Sequence, residues 1–347
     1  MKILHTADWH LDAPLQGHGE DLRRELAAVP EKILELCREE RCDMVLIAGD
    51  IFDGAYTPHT AKHLRGVLAA MAVPVFIAPG NHDYCSPDSP WKRELWPENV
   101  HIFDSSRVES VQIPALDCRV YGAGFTMMDC APLLEGFRAE GNERHAIGIF
   151  HGDALQSRSP YNPITKQQVQ ESGLDYLAVG HIHKADSFVA GETLCAWPGC
   201  PMGRGYDEPG EKGVYIVTLD DRVTAKFYPL DTPRFYDLQA QMDGLESLLP
   251  SVKNENYYRV TLTGSCDAPD LEKIRAAYVH LPNLVLRDKT TRPVDVWGSL
   301  GEDSFEGVYF GLLRQAMETA GEEERREILL AAQISRQLME GQEVVLP

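Results

Sequence analysis

This 347-residue sequence predicts an α/β fold with a layered core, followed by a small α+β cap and a C-terminal helical tail, and three observations carry that prediction. Short apolar runs rich in Ile, Val and Leu recur through the first half of the chain. Segments with helical spacing separate them, and each run ends on acid, amide or imidazole side chains. The runs are Lys2–Ala7, Met44–Ala48, Val73–Ala78, Ala146–Phe150 and Tyr176–Val179, and their composition suits buried strands. Leu22, Leu26, Val29, Ile33, Leu34 and Cys37 share one helical face; Ala61, Leu64, Val67, Leu68 and Met71 share another. Alternation of strand and helix gathers ligands at the carboxyl ends of the strands.

Beyond Val179 the pattern turns strand-like, over Thr193–Trp197, Gly213–Leu219 and Val223–Leu230, with turns at Pro198-Gly199 and Asp220-Asp221. These runs are expected to complete the sheets of the same domain. Pro229, Asp231 and Pro233 then mark a boundary, so the expected divisions are 1–232, 233–297 and 298–347. Tyr257–Leu262 and Leu284–Leu286 read as cap strands around a helix near Leu271–Tyr278. From about Ser304 to Gly341 the spacing predicts a helix pair broken at Gly321, with Phe305, Val308, Tyr309, Leu312 and Leu313 as an apolar stripe that needs a partner, in the cap or on another protein. Glu322-Glu323-Glu324 reads as a solvated first turn, acidic where the helix dipole favours it.

A hydrophobic content of 44% is ordinary for a soluble protein. The first residues lack a signal peptide's apolar stretch, and no run of about eighteen apolar residues follows. The expected location is therefore cytoplasmic, with no membrane contact. Eight cysteines include no Cys-x-x-Cys pair and are read as reduced core residues. A net charge of -20 opposes a long nucleic-acid substrate, since phosphate backbones are bound through Lys and Arg. Metal-ligating carboxylates account for part of that charge, and two divalent cations would supply positive charge where a phosphate must sit.

Five motifs close the five apolar runs: Asp8-x-His10, Asp50-Ile51-Phe52-Asp53, Asn81-His82-Asp83, His151-Gly152 and His181-Ile182-His183. Oxygen and imidazole donors without thiolate suit Mn, Fe or Zn, and the number of donors calls for two ions. Asp8 and His10, two apart, can both turn toward one ion. Asp50 has two oxygens and suits a bridge; Asn81 offers a neutral amide oxygen; His151 and His181 would complete the second ion. Paired ions of this kind drive in-line attack on phosphorus in many nucleases and phosphatases. A lone histidine is more often a surface group or a satisfied core donor, and that reading is kept for His5, His18, His59, His63, His101, His145 and His280.

As an ordered set these motifs resemble the calcineurin-like metallophosphoesterase family, which implies a four-layer α/β/β/α sandwich. The resemblance implies one metal on Asp8, His10, Asp50 and His183 and a second on Asp50, Asn81, His151 and His181. His82 matches a histidine that is not a ligand but assists the leaving oxygen, and Asp53 the acid that orients it. Asp53-Gly54-Ala55 lacks the arginine that follows the second acid in serine/threonine phosphoprotein phosphatases, which argues against that activity. Thr6–Leu11 and Asp50–Asp53 are similar to the SbcD type of DNA repair exonuclease. His10–Pro14, Asp175–His181 and the stretch from Pro198-Gly199 through Gly203, Arg204, Glu208 and Gly210–Gly213 resemble the YhaO branch.

What this implies is a metal-dependent DNA exonuclease or endonuclease, with two Mn2+ ions (or Fe or Zn), acting in DNA repair beside an SMC-like ATPase of the SbcC type that docks on the helical tail. A homodimer is compatible with the same resemblance. The acidic charge would better suit a phosphodiesterase for a nucleotide or other small phosphoester. A scaffold that lost catalysis is a third reading, opposed by the intact ligand set. Gly199, Gly203 and Arg204 are expected either at the substrate phosphate or in a tight turn, and Tyr161, Asn162 and Pro163 either at the substrate entrance or in an idle loop.

Overall fold

The computed structural model describes residues 1–15, 19–292, 295–341 and 344. His18 and the last residues of the expected tail lie outside them. The chain divides into two compact units, Met1–Asp237 with Asn254–Arg259, and Leu238–Lys253 with Val260–Pro347.

In the first unit the strands are β1 (Lys2–Thr6), β2 (Met44–Ile47), β3 (Val75–Ile77), β4 (Val100–Ile102), β5 (Glu109–Ile113), β6 (Cys118–Ala123), β7 (His145–His151), β8 (Tyr176–Gly180), β9 (Lys184–Ala190), β10 (Thr193–Gly199), β11 (Gly213–Leu219) and β12 (Val223–Pro229). Its helices are α1 (Glu20–Ala27), α2 (Val29–Glu39), α3 (Pro58–Ala70), α4 (Pro90–Arg93) and α5 (Lys166–Glu171). The strands make two six-stranded sheets, ordered β12-β11-β1-β2-β3-β4 and β5-β6-β7-β8-β10-β9. β1 to β4 run parallel, as do β6, β7, β8 and β10.

Alternation along the strands builds the layers. Leu4, Val45, Ile47, Val75 and Ile77 pack with Leu22, Leu26, Ile33, Leu64 and Leu68 of the helices. Their neighbours Ile3, Met44, Leu46 and Phe76 turn the other way, onto Val120, Ile147, Ile149, Tyr176 and Ala178 of the second sheet. That sheet's outer face, with Phe150, Leu177 and Val179, packs on Val169 of α5. Helix, sheet, sheet and helix make the four layers expected from the sequence.

The structure departs from the sequence reading in places. The apolar face from Leu22 to Cys37 belongs to two helices, because Pro30, in the first turn of α2, has no N–H to carry a continuous helix through the junction. β5 and β9 were not anticipated: they are the edge strands of the second sheet, and most of their residues are exposed or half-buried. All eight cysteines are free, six of them buried.

Later in the chain β13 (Phe235–Ala240), β14 (Tyr257–Leu262) and β15 (Asn283–Asp288) form a three-stranded sheet, with helices α6 (Leu245–Leu248) and α7 (Leu271–Ala277). The helix pair is α8 (Phe305–Thr319) and α9 (Glu322–Met339), with Gly321 as the N-cap of α9. Its small core gathers Phe310, Ala332 and Val296, with Tyr309, Leu313 and Trp297 against them. Phe305, Val308 and Leu312 face outward, at 76%, 60% and 62% exposure, so the expected stripe is only partly covered. Among the described residues no helix is long and apolar enough to cross a membrane.

Candidate metal centre

The loops that leave β1, β2, β3, β7 and β8 converge at one end of the two sheets. Asp8 N–H donates to the Gly49 carbonyl at 3.0 Å and His10 N–H to the Asp50 carbonyl at 2.9 Å, so the first two loops are laced together. Gly180 lies against the second of them: a Cβ there would sit 1.9 Å from the Ala48 carbonyl oxygen. Asp8, His10, Asp50 and His181 adopt φ values of +55°, +48°, +51° and +102°. Left-handed backbone at a side-chain-bearing residue costs on the order of 1–3 kcal/mol, and here it falls on four of the seven residues expected to bind metal.

Asp8, His10, Asp50, Asn81 and His151 are buried. The ring nitrogens that face partners set the tautomers. His10 Nδ1 lies 3.0 Å from Asp53 Oδ1, His183 Nδ1 2.6 Å from Glu208 Oε1, and His151 Nδ1 2.9 Å from the Ala48 carbonyl. Each of these acceptors calls for a proton on Nδ1, so in the neutral ring Nε2 is the lone pair. His10 Nε2 then stands 3.2 Å from His183 Nε2, and His151 Nε2 stands 2.9 Å from Asn81 Oδ1 and 3.3 Å from Asp50 Oδ2. Lone pair faces lone pair, an arrangement that a shared cation relieves, and imidazoles oriented by carboxylates or carbonyls are how proteins present metal ligands. The donor set therefore fits divalent cations.

The electrostatics agree. Burial would lower the His151 imidazole, yet the Asp50 carboxylate outweighs it and holds the group up to about 9; the negative potential that draws a proton to Nε2 would equally favour a divalent cation in that proton's place. Burial would raise the Asp50 carboxyl, but His151 and then His10 keep it below its usual range. His181 is pushed down to about 4 by burial and by His151, so it is a neutral donor, with Nδ1 3.2 Å from Asn81 Oδ1.

His82 lies at the rim with 43% of its side chain exposed, its Nδ1 3.1 Å from Asp53 Oδ1. That hydrogen bond raises its imidazole above the ordinary value. Asp53 thus serves His10 and His82 together, and both hold its carboxyl well down. Arg204 is engaged by Glu208, with Nη2 at 2.7 Å from Oε1, and its Nη1 reaches within 3.6 Å of Asp53.

Several groups beside the expected ligands take places that the sequence left open. The buried Asp83 carboxylate accepts backbone N–H from Gly80 and Ile51 at 2.8 Å and from Asp50 at 3.2 Å, fastening the β2 and β3 loops to each other. Burial, and then Asp50, raise it to about 7. Glu208 and Lys212 are buried beside His183. Asn162, at φ +44°, donates from Nδ2 to the His151 carbonyl at 2.8 Å, and the Tyr161 ring lies 5.0 Å from that of His181. Gly199 approaches the His183 carbonyl so closely that a Cβ would lie 2.7 Å from it.

A sandwich of two sheets that gathers carboxylate, amide and imidazole donors at its strand ends, with a hydrogen-bonded His–Asp pair at the rim, defines a protein of the dinuclear metal phosphoesterase class. The family model for calcineurin-like phosphoesterases matches residues 1–185, just over half of the chain. The chain belongs to that family. It is 30% identical over 234 residues to the uncharacterized metallophosphoesterase YhaO of Bacillus subtilis (strain 168), a match that covers 62% of this chain and 57% of the relative. The chain thus spans little more than half the length of that curated relative. Among solved structures, a dimetal phosphatase from Danio rerio is 12% identical with a TM-score of 0.43, over 66% of this chain and 99% of that one. An archaeal phosphodiesterase is 17% identical with a TM-score of 0.38, over 66% and 100%.

Proposed function

We propose that this protein hydrolyses phosphodiester bonds in DNA as a two-metal nuclease, with Mn2+ as its ions. The observation that carries the reading is the convergence of seven donors beside a His82–Asp53 pair aimed at the same place. Asp8, His10, Asp50 and His183 would hold one ion, and Asp50, Asn81, His151 and His181 the other. Bound there, the ions would activate water and stabilise the charge that develops on phosphorus. The chain's own residues do the rest. Asp53, by accepting from Nδ1 of His82, raises that imidazole above its ordinary value and fixes its ring, so its other nitrogen could give a proton to the departing ribose oxygen. The exposed part of Arg204 would meet a phosphate oxygen at the rim.

Phe305, Val308 and Leu312, exposed on one side of α8, support docking of an SMC-like ATPase by its coiled coil, which would also add basic surface for DNA to a chain of net charge -20. That charge favours the second reading, a cytoplasmic phosphodiesterase for a nucleotide or other small phosphoester. The test is hydrolysis of labelled single- and double-stranded DNA and of bis-p-nitrophenyl phosphate with Mn2+, with and without the ATPase. Cleavage of DNA supports the nuclease; turnover of the small diester with DNA left intact under both conditions supports the second reading.

A further inference from the structure

Glu208 lies on the irregular segment between β10 and β11, outside the five motifs, yet it is buried against His183. Its Oε1 accepts from His183 Nδ1 at 2.6 Å and from Arg204 Nη2 at 2.7 Å. Its Oε2 accepts from the Arg204 backbone N–H at 2.9 Å. A buried carboxylate persists only when it is paired and hydrogen-bonded, and Glu208 has both kinds of partner. The same segment holds the backbone of His183, since the buried Lys212 donates from Nζ to the His183 carbonyl at 3.0 Å. Arg204 stands between Glu208 and Asp53, the acid that orients His10 and His82.

We infer that Glu208, fixed by Arg204, is a positioning residue that sets the ring of His183 and thereby the affinity of one of the two metal positions. The inference rests on the metal-centre reading above. His183 follows Gly180 on a loop and has 29% of its side chain exposed, so without an anchor its ring can rotate or carry its proton on Nε2, and either change removes the lone pair that faces His10. Carboxylates in this role typically change metal affinity by roughly ten- to a hundredfold when removed. Arg204 gives the pair a second consequence: one guanidinium links the carboxylate behind His183 to the carboxylate behind His10 and His82, so both sides of the site are set from one segment.

The experiment uses the full chain, unaltered and as Glu208→Ala and Glu208→Gln, with two readouts. Nitrogen-15 spectra of the metal-free protein report the His183 tautomer, and titration calorimetry with Mn2+ alone reports the affinity of each site. Glu208→Ala should lose the defined Nδ1–H tautomer and weaken one site roughly ten- to a hundredfold, with the other site unchanged. Glu208→Gln, nearly isosteric and still an acceptor, should keep the tautomer and weaken that site only several-fold. An unchanged tautomer and unchanged affinity in Glu208→Ala overturn the inference. If that variant does not fold, Glu208→Gln decides, and a Gln variant indistinguishable from the unaltered chain in affinity overturns it. Failure of the unaltered chain to take up two equivalents of Mn2+ sinks the metal-centre reading, whereas the tautomer, read without metal, tests Glu208 separately.

Discussion

His82 shares Asp53 with His10, each through Nδ1, but differs from that buried ring in being half exposed. His82→Ala should therefore keep both metal equivalents and lose turnover by roughly a hundredfold or more, the scale of a general acid; metal analysis of the purified variant checks it, and loss of one equivalent would make His82 a ligand. Asp50 has one oxygen accepting the His82 backbone N–H at 2.9 Å and the other 3.3 Å from His151 Nε2 and 3.9 Å from His10 Nε2, reaching toward both halves of the donor set. Asp50→Ala should cost more metal than Asn81→Ala in titration calorimetry, and equal losses would contradict a bridging role. These donors were legible in the sequence because each follows an apolar run and each is chemically distinctive. Glu208 and Asp83 were not read from spacing, since an acid on an irregular loop looks the same whether it is solvated or buried behind an imidazole.

At the scale of elements, the strand ends are packed without slack. Gly180 is the clearest case: a methyl group there would meet the Ala48 carbonyl at 1.9 Å and Ala7 Cβ at 2.9 Å. Gly180→Ala should destabilise the fold by roughly 2–3 kcal/mol, as overpacking does, and displace His181 from its place beside Asp8 and Asn81. Urea unfolding checks the first effect, and a variant as stable as the parent would show that the loops can part. Most of the buried parallel strands were legible from their apolar runs, but β6 was not, because Arg119, Gly122 and the small Cys118 and Ala123 leave it no such run. The edge strands β5 and β9 were not, because solvent on one side removes the pattern that marks a strand, and β4 is only three residues long.

At the scale of the molecule, the first sheet supplies Asp8, His10, Asp50 and Asn81 through its loops, and the second supplies His151, His181 and His183. In the interior His5 on β1 reaches across to the second sheet, 2.7 Å from the Tyr176 hydroxyl and 3.1 Å from the Val179 carbonyl. Burial pushes its imidazole down to about 3. Between the unfolded value near 6.5 and about 3, the unfolded chain takes up a proton that the folded chain refuses. This contribution to stability is thus complete above pH 6.5 and is lost as pH falls, by at most about 1.4 kcal/mol per pH unit. Denaturation midpoints at pH 7.5 and 5.5 should fall further apart for the parent than for His5→Phe; an equal fall in both would exclude His5 as a source.

The pairing of β1 with β11 joins Lys2 to Thr218 and His5 to Tyr215. During synthesis, then, one flank of a strand that the finished fold buries almost completely stays without its neighbour until about two hundred further residues have left the ribosome, at roughly 5–20 residues per second. For those seconds the chain carries an open, sticky strand edge. Newborn copies, more than mature ones, are where aggregation and the need for chaperones should concentrate.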